Sequence, residues 1–292
     1  MNDSELREYP NPRRLEGDSG VCFAIPSSII FEDDPSGKLV SAFSFFSVSR
    51  GLNCKAMFTL NAIAEWDGKK PSRVAGGTNS KFADAISVLA DKDYLSLDGD
   101  LSNTKCCIAT FNKDKVSKEC DDGRFAVVYL DELNMMLGWS NENKKDVSLT
   151  NDTLLRVFAY LRMLIYRRRN RLMPEEKGRG SNLVEDVAIR RKKSPDAYNG
   201  YYQDMAEELG ISPRVMSKAV EVLCNMGLLY SEPLPRMKIN GRWKTTHTVF
   251  CNAYKREGQY LLASGSEYYG VEIANKKKKL NIIGSGYSAD EN

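Results

Sequence analysis

The chain has 292 residues, with 42 Lys+Arg against 39 Asp+Glu, 42% apolar residues, 10% aromatics and a single histidine; the length suits two domains, and the composition excludes collagenous, low-complexity and wholly disordered classes. No apolar run approaches the ~18 residues of a membrane span, and the opening MNDSELREYPNPRR has no apolar core of a signal peptide, so a cytoplasmic protein without membrane contact is expected. Charge is unevenly spread: residues 1–148 carry 18 Lys+Arg and 23 Asp+Glu, whereas residues 149–292 carry 24 and 16, and a basic half is what a polyanion meets first.

Residues 1–19 read as a disordered N-terminus. Val21-Cys22-Phe23-Ala24-Ile25 is an apolar strand, and Leu39-Val40-Ser41-Ala42-Phe43 belongs to a first helix. A second helix is expected over 57–66, then a Gly-rich loop from Asp67 to Gly77, then a third helix headed by Thr78 with Phe82, Ala85, Ile86 and Leu89 on its apolar face. A β-hairpin falls near 96–111, and Phe125-Ala126-Val127-Val128-Tyr129 echoes the first strand as the leader of a second copy. Residues 154–172 form a long helix with Leu154, Leu155, Phe158, Leu161 and Ile165 on its apolar side. It closes on Arg167-Arg168-Arg169-Asn170-Arg171, cations that suit the helix dipole as well as a phosphate. An insertion over 174–200 contains Arg190, Arg191, Lys192 and Lys193. It reads as an arm that orders on DNA or as a solvated loop, the arm being favoured by its place beside the most informative stretch.

That stretch begins at Tyr201. Met205, Ala206 and Leu209 stripe a short helix, and Gly210 permits the left-handed turn that ends it. Ser212 fits an N-cap and Pro213 the first helical position, after which Met216, Ala219, Val220 and Leu223 make the buried stripe of a second helix. This is a helix-turn-helix. Gly227 closes it, a strand follows at 228–230, a polar loop over 233–244 carries Arg236, Lys238, Arg242 and Lys244, and 245–254 alternates as a return strand. A helix-turn-helix followed by a basic β-hairpin is a winged helix.

The N-terminal half repeats the plan. A shift of 134 residues aligns Thr78, Phe82, Ala85, Ile86, Leu89 and Tyr94 with Ser212, Met216, Ala219, Val220, Leu223 and Leu228. Upstream the shift becomes 115, matching 39–43 to 154–158. The expected fold is therefore α+β: an acidic winged helix over 20–120 for partner or dimer contact, a basic DNA-binding one over 121–260, and a C-terminal extension over 261–292 whose Lys276-Lys277-Lys278-Lys279 is an electrostatic tail. Pro213, Arg214, Val215, Ser217 and Lys218 are the outward positions of the second recognition helix, and Arg214, Ser217 and Lys218 are types that reach base edges and phosphates. The equivalents in the first copy, Asn79, Ser80, Lys81, Ala83 and Asp84 followed by Asp91 and Asp93, place carboxylates where phosphates would be.

The chemistry of the remaining residues points away from catalysis. The seven cysteines are scattered and never form a CxxC pair, so buried reduced thiols are expected rather than disulfides or zinc. His247 alone cannot supply paired metal ligands, and the nearest approach to a phosphate loop, Ser36-Gly37-Lys38, lacks the upstream glycine. Tyr201, Tyr202, Tyr268 and Tyr269 lack a surrounding Arg and His constellation. No enzyme, metal or cofactor is expected.

Two tandem winged helices, the first acidic and the second basic with a basic wing, resemble the plasmid and phage replication initiators of the tandem winged-helix class. The likeness covers roughly residues 21–256 as architecture and is specific at 203–229. It implies binding to repeated origin DNA, a homodimer, and recruitment of replication proteins. It also implies groove reading by Arg214, Ser217 and Lys218, and backbone contacts from Arg236, Lys238, Arg242 and Lys244. The same domains suit a sequence-specific transcription regulator, or a replisome-organising or helicase-loading adaptor. The Gly-rich loop of the first copy and the insertion of the second depart from the family pattern.

Overall fold

A computed structural model describes residues 21–121, 124–139, 149–170, 197–233, 237–239, 242–244, 248–256 and 259–262. The expected disordered N-terminus, most of the 174–200 insertion with Arg190, Arg191, Lys192 and Lys193, and also Arg236, His247 and the tail lysines, lie outside the described residues. The chain divides into two compact units, one spanning Asp18–Met163 and the other containing Leu164–Asn292.

In the first unit, β1 (Cys22–Pro26) alternates outward and inward side chains and leads into the short α1 (Ser27–Ile30). Helix α2 (Leu39–Ser49) is buried on every side from Leu39 to Ser47, as a helix apolar all round must be. Asp34 caps its start, accepting from the backbone N–H of Gly37 at 3.0 Å and of Leu39 at 2.7 Å. Strand β2 (Lys55–Phe58) follows, then α3 (Leu60–Trp66) and α4 (Thr78–Asp91), then β3 (Leu95–Asp98) and β4 (Cys107–Phe111). These three strands form one antiparallel sheet in the order β2-β4-β3. Phe82, Ala85, Ile86 and Leu89 of α4 are all buried, and Phe43 of α2 meets Tyr94 edge-on at 5.7 Å.

Three expectations change here. The helix expected over 57–66 starts only at Leu60, where the Thr59 hydroxyl accepts from the Ala62 N–H at 3.1 Å. Met57 and Phe58 instead belong to β2, because Lys55-Ala56-Met57-Phe58 alternates exposed and buried and pairs with β4. The strand β5 (Phe125–Tyr129) does not lead a second copy: it pairs antiparallel with β1, Cys22 opposite Tyr129 and Pro26 opposite Phe125. The boundary expected between 120 and 121 is displaced for the same reason. After α5 (Lys113–Asp121), the chain returns through β5, α6 (Leu130–Leu137) and α7 (Asn151–Asn170) to close the first core. Within α7, Leu154, Leu155, Val157, Phe158, Ala159, Tyr160 and Leu161 are all buried. Arg156 donates to the carbonyls of Ile30 at 2.7 Å and Glu32 at 3.0 Å, and Asp152 accepts from the Ser41 N–H at 2.8 Å. The front of the helix assigned to the second copy is therefore core of the first unit.

The second unit contains β6 (Ala197–Gly200), α8 (Tyr202–Glu208), α9 (Pro213–Asn225), β7 (Leu229–Pro233), β8 (Met237–Ile239), β9 (Arg242–Lys244), β10 (Thr248–Arg256) and β11 (Gln259–Leu262). Strand β10 pairs with β6 and β7 on its first half and with β11 on its last residues. The return strand expected at 245–254 is thus β10, and ordered pairing reaches Leu262, past the expected start of the extension. Met205, Ala206, Leu209, Met216, Ala219, Val220, Leu223 and Phe250 are buried.

Among the described residues every strand pairing is antiparallel and every sheet small, so the class is α+β. Both units run strand, helix, helix, strand and a returning strand that lies between the other two, β2-β4-β3 and β6-β10-β7, with the β8–β9 hairpin inserted before β10 and β11 added after it in the second unit. No helix among the described residues is long and apolar enough to cross a membrane.

Of the six cysteines whose side chains are described, only Cys107 is buried; Cys22 and Cys106 are exposed and Cys54, Cys120 and Cys224 half-buried, which corrects the expectation of buried thiols. Cys22 falls on the outward phase of β1 and Cys106 precedes the first inward residue of β4. Burial pushes the Cys120 thiol up to about 11.

Candidate nucleic-acid interface

The turn between α8 and α9 is closed by local chemistry. Gly210 sits at φ 64°, the Ile211 N–H donates to the Ala206 carbonyl at 2.9 Å, and the Ser212 hydroxyl accepts from the Val215 N–H at 3.2 Å, with Pro213 at the first helical position. The N-cap and turn expected from sequence are present. Replacing Ser212 with Ala removes that cap, and thermal or urea unfolding is expected to register a loss of about 1 kcal/mol.

Burial of Met216, Ala219, Val220 and Leu223 turns the opposite face of α9 outward. Pro213, Arg214 and Ser217 are exposed, Val215 and Lys218 half-buried. The groove-reading candidates Arg214, Ser217 and Lys218 therefore share the outer side of the first turns of α9. Lys218 Nζ lies 2.8 Å from Glu221 Oε1, with side-chain exposures of 37% and 58%. A surface pair of this kind is worth about 0.2–1 kcal/mol, so a phosphate can compete for the ammonium. Asp204, Glu207 and Glu208 are exposed on α8, which leaves the favourable charge of this motif on α9.

The wing candidates are brought together only in part. Lys238, Arg242 and Lys244 lie in the β8–β9 hairpin, whose register sets Lys244 opposite Met237, Lys238 opposite Trp243 and Arg242 opposite Ile239. Arg236 falls outside the described residues, as do Arg190, Arg191, Lys192 and Lys193.

The first unit differs at the matching place. Its N-cap is Gly77, with no side-chain cap, rather than Thr78. Asn79, expected to face outward, is buried with 2% exposure. Its Oδ1 accepts from the Ser72 N–H at 3.1 Å, and its Nδ2 donates to Asn61 Oδ1 at 2.8 Å and Asn103 Oδ1 at 2.6 Å. One side chain thus fastens three segments: the loop after α3, the start of α3, and the β3–β4 connection. That connection is also bonded to α3 directly, since the N–H groups of Leu60 and Asn61 donate to the carbonyls of Ser102 at 2.9 Å and Asn103 at 3.3 Å. The hairpin end of the first unit is folded back onto a helix N-terminus, which satisfies two of its orphan donors. The signal for Asn79 was in the sequence: it precedes Phe82 by three residues and Ile86 by seven, the spacing of a single helix face. Ser80, Lys81, Ala83 and Asp84 remain on the exposed or half-buried side. Asp91 is the last residue of a helix of 14 residues and Asp93 lies just past its C-cap Lys92, about 20 Å from its N-terminus.

A scan against protein-family models matches no family, and comparison with curated proteins and with solved structures finds no match either.

Proposed function

We propose that both units are winged helices and that the chain is a double-stranded-DNA-binding protein, acting as a replication initiator of the plasmid or phage kind that binds repeated origin DNA and recruits replication proteins. The observation that carries the reading is the exposed first turn of α9, which presents Arg214 and Ser217 beside Lys218 directly after a tight, capped turn. The repeated strand order of the two sheets supports the tandem winged helix. The folded-back hairpin of the first unit supports a division of labour in which the second unit reads bases and the first makes partner or dimer contacts.

Selection of bound sequences from random duplex DNA by the full chain tests the reading. An enriched, directly repeated motif is expected, and Arg214→Ala is expected to weaken binding to it by roughly 10–100-fold, the 1–3 kcal/mol of one good base contact. A short palindrome in place of a direct repeat makes the protein a transcription regulator, since half-site symmetry mirrors a two-fold dimer. No enrichment, or binding untouched by Arg214→Ala, overturns base reading by α9 and leaves the adaptor role.

A further inference from the structure

We infer that the first unit carries its own nucleic-acid contact: a clasped basic loop between α3 and α4 that holds the phosphate backbone without reading sequence. The inference rests on the DNA-binding reading above and extends it to a surface that plays no part in base recognition.

The unit spanning Asp18–Met163 is acidic as a whole, with 17 Lys+Arg against 20 Asp+Glu. Its cations are not spread evenly. From Gly68 to Ala83 the chain holds Lys69, Lys70, Arg73 and Lys81 and no carboxylate. Lys70, Arg73 and Lys81 are exposed, and Lys105 is exposed on the β3–β4 connection.

The loop is built rather than slack. The Lys69 N–H donates to the Ala64 carbonyl at 2.8 Å and the Gly77 N–H to the Val74 carbonyl at 2.9 Å. A Cβ at Gly77 would lie 2.5 Å from Ser72 Oγ and 2.8 Å from the Val74 carbonyl, so the loop closes on itself there. Asn79 joins this loop to the connection that carries Lys105. Arg73 follows the fastened Ser72, Lys105 lies two residues beyond the fastened Asn103, and Lys81 is exposed in the first turns of α4. The clasp ties the loop that carries Lys70 and Arg73 to the connection that carries Lys105 and to the start of α4. Glu65 on α3, Asp84 on α4, Asp98 on β3 and Asp100 after it are also exposed, so the carboxylate-free stretch is the loop and the start of α4.

Lysines and an arginine on an ordered loop fit the repeated charge of a phosphate backbone, which fixes position and carries no sequence information. Prior ordering of the loop also keeps the entropic cost of contact low.

The test uses the full chain with Lys70→Gln/Arg73→Gln/Lys81→Gln, binding measured on the selected duplex and on unrelated duplex across a salt series. With about 0.9 counterions released per phosphate neutralised, the slope of log K against log salt is expected to shrink by roughly 2–3, and affinity near 0.15 M salt to fall on the order of 100-fold on both duplexes. The motif chosen in selection stays the same. Asn79→Ala removes no charge but loosens the clasp; it is expected to lower affinity part of the way on both duplexes. An unchanged slope in the triple variant, with the parent binding normally, overturns this inference and leaves DNA reading by α9 intact. A parent that binds neither duplex overturns both.

Discussion

Replacing Glu132 with Ala is expected to destabilise the first unit by about 3–5 kcal/mol, the usual result of stripping one partner from a buried ion pair. Glu132 Oε1 lies 2.7 Å from Arg162 NH2, and the two side chains are 2% and 0% exposed. The guanidinium also donates to the Val127 carbonyl at 3.4 Å and lies over the Phe158 ring at 4.6 Å, while the other carboxylate oxygen accepts from the Tyr129 N–H at 3.1 Å and so caps α6. Removal of the carboxylate strips a buried cation of its bond to Glu132 and a helix start of its cap. Urea unfolding followed by circular dichroism measures the loss. The double variant Glu132→Leu/Arg162→Met tests the cause, because removing both charges together is expected to cost far less than the single change. Equal losses in the two variants would show that packing, and not the orphaned charge, sets the effect.

Asp152 supplies the second large effect, and it depends on pH. Its carboxyl is fully buried and pushed up to about 6 from 3.8, first by desolvation and then by the neighbouring Asp34, against the pull of the Ser41 N–H and of Lys38. Lys38 is itself engaged with Asp67, whose side chain is completely buried. The folded state therefore holds a proton on Asp152 that the unfolded chain has already released between about pH 4 and 6. Stability contributed by this residue is greatest below about pH 4 and falls as pH rises to 6, by about 3 kcal/mol over a shift of this size. Asp152→Asn keeps an acceptor for the Ser41 N–H and removes the charge. It is expected to flatten the decline between pH 4 and 6 and to be more stable than the parent at pH 7, measured by urea unfolding at a series of pH values. A variant as pH-sensitive as the parent over that window would refute the assignment.

How much could be read from sequence follows from the range of the interaction involved. Gly210, Ser212 and Pro213 were legible because a positive φ, an N-cap and a first-turn proline each act within four residues. The apolar faces of α4 and α9 were legible for the same reason, their spacing being set by one helix. The partner of a strand is not local information. The apolar alternation of 21–25 and 125–129 marked both as strands, but nothing within either segment says that they pair with each other. That missing pairing moved the unit boundary. In α7 the signal is breadth: Val157 and Tyr160 fall off the narrow apolar stripe of 154, 155, 158, 161 and 165, and a helix buried on all sides belongs to the core in which it starts. Asn79 is a third kind of case: its polarity suggests exposure, while its helical phase matches that of Phe82 and sets it inward among Asn61 and Asn103.

The pairing of β1 with β5 also sets a timetable for synthesis. Cys22 waits for Tyr129, and the carbonyls of Ile30 and Glu32 wait for Arg156. At ~5–20 residues added per second, the first unit has on the order of 5–30 s between the emergence of its opening strand and the arrival of the helix that seals it. During that interval the apolar α2 and the inward side of β1, Phe23 and Ile25, are without their covers. A ribosome stalled before residue 163 thus carries a nascent chain that cannot close its first core and must be kept from its neighbours by other means.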